Sequence, residues 1–193
     1  MWRKTVTGAE TQREKFACEA MTHLDDLYRI AVHLAKEPDQ ANDLVQETYA
    51  RALGSYEQFA AGTHMKAWLA KILHNLFFDR YREAKRWVST EEAKTVKDEP
   101  SDNWQRIPSK DAGPEGDILR RELSCKISNA IKKLPEEFRT AILLVDMEDF
   151  SYAEAAEILC CPLGTVRSRL SRGRELLHRY LKDYVEAKEK VLK

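Results

Sequence analysis

Between Phe16 and Ala35, the apolar residues Leu24, Leu27, Tyr28, Ala31, Leu34 and Ala35 fall on one helical face. Glu37-Pro38-Asp39 ends that helix and starts another, whose buried stripe is Ala41, Leu44, Val45, Thr48 and Ala52. The opposite face of this second helix carries Asn42, Asp43, Gln46 and Glu47. Gly54 to His64 reads as a loop punctuated by Tyr56, Phe59 and Gly62, with Thr63 in position to cap a third helix. That helix runs from Met65 to about Trp87, with Leu69, Ile72, Leu73, Leu76 and Phe77 on its apolar side. Residues 1–14 are polar and unpatterned and are left as a frayed start.

The periodicity stops between Val88 and about Glu115, where Pro100, Pro108, Gly113, Pro114 and Gly116 cluster with an excess of acids. This segment, 88–116, is expected to be a linker, with Trp104 and Ile107 able to dock. A coil of that length spans roughly 30 Å. Helical spacing resumes with Ile118, Leu119, Leu123, Ile127, Ala130 and Ile131, and Leu134-Pro135 ends that helix. Phe138, Ala141, Ile142 and Val145 mark the next, closed by the acidic turn Asp146 to Asp149. No useful strand alternation occurs, so the expected fold is all-α. Two small helical domains, 16–87 and 117–184, flank the linker.

Phe150 to Tyr180 has the most definite local grammar. Ser151 followed by Glu154 has capping-box spacing, and Phe150 precedes the cap as a staple would. Tyr152, Ala155, Ala156 and Leu159 give a short helix. Cys161-Pro162-Leu163-Gly164 interrupts it, because Pro162 lacks an N–H and restricts its predecessor. A longer helix follows, with Val166, Leu170, Gly173, Leu177 and Leu181 as its seam. Thr165, Ser168, Arg172 and Glu175 lie opposite, with Arg167, Arg169, Ser171 and Arg174 on the flanks. Short helix, tight turn and arginine-rich second helix suggest a helix-turn-helix that reads DNA. The plainer reading is a helical hairpin with a solvated charged face.

Charge changes the picture only through its distribution. Lys plus Arg number 32 and Asp plus Glu number 32, which excludes a uniformly basic coat but not a local nucleic-acid site. Leu163 to Lys182 holds six Lys/Arg and one acid, whereas Lys132 to Glu157 holds three and seven. The third helix mixes Lys66, Trp68, Lys71, His74, Asn75, Arg80, Tyr81, Arg82, Lys85 and Arg86. Cations for phosphates beside aromatic faces for bases suit unpaired or distorted nucleic acid. The plainer reading makes the aromatics core; it is adopted for Phe77 and stands level with stacking for Trp68. Cys18, Cys125, Cys160 and Cys161 have no metal-ligand spacing and read as small buried apolar residues in a reducing cytosol, not as thiol sensors. Neither a signal peptide nor a membrane span is visible. No metal, cofactor or catalytic residue is expected.

Three stretches carry a family resemblance: DLVQETYARAL at Asp43–Leu53, KAWLAKILHNLFFDRYR at Lys66–Arg82, and LPEEFRTAILLVDMEDFSYAEAAEILCCPLGTVRSRLSRGRELL at Leu134–Leu177. In this order, with a linker between them, they resemble a bacterial sigma factor of the extracytoplasmic-function (ECF, group 4) type of the sigma-70 family. Bulky Phe77, Phe78 and Tyr81 depart mildly from the family pattern, and Cys160-Cys161 sits where the family varies.

The resemblance implies a dissociable RNA polymerase subunit, not an enzyme, acting in the cytoplasm. Asp43, Leu44, Gln46 and Glu47 would meet the clamp helices of the polymerase largest subunit. Asn75 would line, with the loop from Tyr56 to His64, a pocket for a base flipped from the −10 element. Lys66, Trp68, Arg80, Arg82, Lys85 and Arg86 would hold the surrounding DNA. Arg167, Ser168, Ser171 and Arg172 would read the −35 element, with Thr165 and the helix N-terminus on phosphate. An anti-sigma protein is a further implied partner. Two alternatives stay open on the residues alone. One is a polymerase-independent helix-turn-helix regulator, and the other a nucleic-acid enzyme with a helix-turn-helix guide, for which no metal or nucleophile–base spacing is present.

Overall fold

The computed structural model describes residues 8–35, 37–60, 64–88 and 114–191. All regular structure among them is helical, as expected. The helices are α1 (Gly8–Met21), α2 (Leu24–Ala35), α3 (Pro38–Gly54), α4 (Met65–Val88), α5 (Pro114–Lys132), α6 (Glu136–Ile142), α7 (Tyr152–Ile158) and α8 (Leu163–Val191). A 3₁₀ turn, Tyr56–Gln58, follows α3, and a π-helical turn, Leu143–Met147, follows α6. Thr63 and most of the expected linker, with Trp104 and Ile107, lie outside the described residues. The chain divides into two compact units, one within Met1–Glu99 and Ala153–Cys160, the other within Pro100–Tyr152 and Cys161–Lys193. That division separates most of α7 from the 117–184 segment that the sequence pattern kept whole.

In the first unit α2, α3 and α4 pack on one another, and α1 lies against α3 and α4. Leu27, Ile30, Leu44, Leu69, Leu73 and Leu76 form its fully buried centre. Pro38 starts α3, where a missing N–H costs nothing, and Glu37 leads into it with extended backbone. Thr48 is buried and satisfied locally, its Oγ1 donating to the Leu44 carbonyl at 2.7 Å. The stripe expected from Phe16 to Ala35 proves to be two helices. Thr22 donates from both N and Oγ1 to the Glu19 carbonyl and ends α1, and His23 N donates to the Ala20 carbonyl. Residues 8–14 are helical and not frayed. Their polarity hid them, because α1 offers the core only Phe16 and Ala20 among its described side chains.

Tyr49 ties α1 down. Its Oη donates to the Ala20 carbonyl at 2.9 Å, and burial, reinforced by the charges of Asp26 and Asp25, pushes its phenol up to about 12. Stability from this neutral phenol is fully present below pH 10, the ordinary tyrosine value, and is lost as pH rises through 12. Tyr49→Phe is expected to be less stable at pH 8. Its stability relative to the wild type should rise by about 2 kcal/mol between pH 10 and 12, as read from urea unfolding at each pH. A constant deficit would contradict the assignment.

In the second unit α5 and α6 pack on α8. Ile142, Leu143, Leu144, Val166 and Leu170 are buried. The π turn carries the helix begun by α6 beyond its expected end. Glu148 N donates to the Leu143 carbonyl and Phe150 N to the Leu144 carbonyl, while Asp149 takes φ 58°, a conformation Asp tolerates. The helix after the linker starts three residues before the expected end of the linker, since Pro114 opens α5. Residues 186–191 continue α8, in keeping with their strong helix formers.

Candidate nucleic-acid interface

The polar face of α3 is built by its apolar stripe. Leu44 and Val45 turn inward, so Asp43 and Gln46 turn out and are exposed. Leu44 itself is 1% exposed; its expected role as a contact is corrected to support of the face, because no partner can reach it. Glu47 is half-buried and engaged within the unit. It accepts from Arg51, one turn on, at 2.7 Å and pairs with Arg80 of α4. Burial acts to raise its pKa, but the Arg51 and Arg80 hydrogen bonds and charges outweigh it and hold the carboxyl below its usual range. A residue expected to meet polymerase is thus joined to one expected to meet DNA.

Other expected DNA contacts on α4 are similarly engaged. Lys66 lies 3.6 Å from Asp26, its side chain only 18% exposed. Asp26 also takes Arg29 at 2.5 Å and His23 at 3.7 Å. Partial burial raises its pKa, but the Arg29 and His23 hydrogen bonds and the Lys66 and Arg29 charges together lower it. Lys66 thereby ties α4 to α2, and its expected phosphate contact would compete with Asp26. Arg82 reaches Asp79 at 3.0 Å, yet remains mostly exposed. Trp68 is half-buried, edge-on to Phe16 and Phe59. Asn75 is exposed two turns further along the same face. Phe77, read as core, is only half-buried and stacks with Tyr81 at 6.2 Å. The structure does not describe the side chains of Lys85 and Arg86.

The tight turn before α8 is Leu159 to Pro162, and Leu163 and Gly164 belong to the first turn of α8. Cys160 adopts φ 48° there. All four cysteines are free, and none is buried: Cys18 and Cys160 are exposed and the other two partly so. Their expected place in the core is corrected. Thr165 and Val166 N donate back to the Pro162 carbonyl at 2.8 and 3.3 Å. From there Arg167, Ser168, Ser171 and Arg172 are exposed and Thr165 is half-buried. Ser168 Oγ donates to the Thr165 carbonyl at 2.9 Å.

The arginines of α8 sort into two kinds. Arg174 makes a forked pair with Asp146, at 3.0 Å from Nε and 2.6 Å from a terminal nitrogen. Hydrogen bonds to Asp146 and Tyr152 raise its pKa further above the ordinary arginine range. Arg169 lies 3.7 Å from Glu137. Both brace the unit. Arg167 and Arg172 have no acidic partner among the described residues. They project, with the two serines, a surface of cations and small donors fit for phosphates and base edges.

Known proteins decide the family. The Sigma-70 region 2 model matches residues 20–87 and the Sigma-70, region 4 model residues 126–177. The ECF RNA polymerase sigma factor EcfG of Rhodopseudomonas palustris is 35% identical over 174 residues, 89% of this chain and 86% of that protein. The chain belongs to the ECF RNA polymerase sigma factors. The ECF sigma factor SigW of Bacillus subtilis is 32% identical over 89% of this chain and 91% of its own. SigE of Mycolicibacterium smegmatis is 38% identical over 159 residues, but the match spans only 58% of its length. The sigma factor RpoE from Bartonella quintana, solved in complex with the anti-sigma factor NepR, aligns with TM-score 0.67 and 31% identity over 88% of this chain and 98% of its own. CnrH, solved with the cytosolic domain of CnrY, aligns at 0.59 and 22% identity and so shares the fold.

Within this sigma factor, the sequence pattern missed the bracing roles. The Glu47–Arg51 pair has helical i, i+4 spacing and was open to reading. Arg80 to Glu47 and Arg174 to Asp146 are 33 and 28 residues apart, and no local pattern announces them.

Proposed function

We propose that this sigma factor binds core RNA polymerase and directs promoter-specific initiation by reading −10 and −35 elements, as a specificity subunit and not as a catalyst. The exposed, acid-free row Arg167, Ser168, Ser171 and Arg172 on α8 carries the reading, since such a row has no structural task. Residues 16–87 bind polymerase and open the −10 element, and residues 117–184 read the −35 element. Asp43 and Gln46 meet the clamp helices of the largest subunit, with Glu47 bracing from behind. Asn75 faces the flipped −10 base, and Arg82, Lys85 and Arg86 hold its strand. Thr165 holds phosphate at the −35 element.

An anti-sigma protein is the second partner; RpoE bound to NepR supports it. No helix of the described residues is long and apolar enough to cross a membrane, and the site of action is the cytoplasm. The test is binding of the labelled chain to core polymerase. Asp43→Arg should weaken that binding about tenfold through like-charge juxtaposition, with an unchanged melting curve. Unchanged affinity would contradict the docking face.

A further inference from the structure

Phe16 stands in a polar stretch with no apolar pattern around it, yet it is 7% exposed. Its ring meets rings from two other elements. Centroid distances are 6.2 Å to Tyr56, 5.7 Å to Phe59 and 5.8 Å to Trp68, the last at 88° between planes. Phe59 and Trp68 also meet at 5.5 Å. Phe59 closes the 3₁₀ turn that follows α3, and Trp68 lies in the first turn of α4. Phe16 therefore touches both elements at once. It is itself held in place, because Tyr49 anchors the Ala20 carbonyl one turn further along α1.

Edge-to-face contacts are directional: the positive ring edge seeks the negative face. An aliphatic side chain of similar volume would fill this space without orienting its neighbours. Trp68 and Asn75 share one face of α4, seven residues apart. The tilt of Trp68 and the standing of the Tyr56–Phe59 turn thus define the start of the α4 face that carries Asn75 two turns on. We propose that Phe16 is a positioning residue for −10 recognition: through Phe59 and Trp68 it sets the turn after α3 against the Asn75 face of α4. The proposal rests on the reading of α4 as the −10 reader. It makes α1 part of promoter specificity and Trp68 a fixed wall of the base site.

The test uses the full chain with core polymerase. Templates are first selected from a random-sequence duplex library by initiation with the wild-type holoenzyme. The −10 base to which the wild type is most sensitive is then substituted. Phe16→Leu should reduce discrimination between the two templates about fivefold, leaving core affinity and the effect of −35 substitutions unchanged. In a chain whose other tryptophans, Trp2, Trp87 and Trp104, are phenylalanine, Phe16→Leu should also lower the fluorescence anisotropy of Trp68. Undiminished −10 discrimination in Phe16→Leu overturns the proposal. So does an equal loss on all templates together with weakened core binding, which would mark Phe16 as a packing residue only. A wild type that initiates without any −10 preference removes the reading of α4 itself, and that result is distinct from both.

Discussion

Gly173→Leu is expected to destabilise the second unit by about 3 kcal/mol, the upper end of overpacking effects. A Cβ at Gly173 would lie 2.7 Å from Ile142 Cδ1, 3.3 Å from Ile142 Cγ1 and 3.2 Å from Phe138 Cβ. The Ile142 tip can swing away, but Phe138 Cβ is fixed to the backbone of α6. Alanine must already displace the buried Ile142 tip and press on Phe138 Cβ, a cost offset in part by about 1 kcal/mol of helix propensity. Leucine adds three further carbons and must push α8 off α6. Against a total stability of about 5–15 kcal/mol, that loss is large. Thermal unfolding followed by circular dichroism checks it. Core binding through the α3 face should survive, while −35-dependent initiation should fall. A leucine variant that melts with the wild type would show that α6 and α8 do not approach this closely.

The second large effect is functional. Arg172→Ala should lower initiation on templates with an intact −35 element by roughly tenfold to a hundredfold, given about 1–3 kcal/mol for a bidentate arginine–guanine contact. Templates with a scrambled −35 element should be indifferent to it. Arg174→Ala is the control from the same helix. It abandons Asp146, so its cost should appear in unfolding and should not depend on the −35 sequence. Equal losses from Arg172→Ala on both templates would contradict a reading role.

Legibility in the sequence followed the physics of each feature. Helices that bury a stripe, such as α3 with Ala41, Leu44, Val45, Thr48 and Ala52, were plain, because periodicity records burial. The exposure of Asp43, Arg167 and Arg172 followed directly from those stripes. Helix α1 was not legible, since one aromatic ring and one alanine do not make a period. Nor was the π turn at Leu143–Met147, whose extra residue per turn leaves the apolar run unchanged. Basic residues could not be sorted in advance. Lys66 and Arg80, expected on DNA, are brought beside Asp26 and Glu47 by the fold, pairings that no local pattern announces. The cysteines misled too, for a small apolar side chain reads as core, yet Cys18 and Cys160 are exposed and Cys125 and Cys161 only partly covered.

The central claim is that this chain gives promoter specificity to polymerase. The most direct measurement is transcription from a random-sequence duplex library by core polymerase with and without the purified chain, followed by sequencing of transcript starts. Starts concentrated downstream of two spaced elements, and only when the chain is present, are predicted. Tight duplex binding by the chain alone, with no starts added to those of core polymerase, would contradict it.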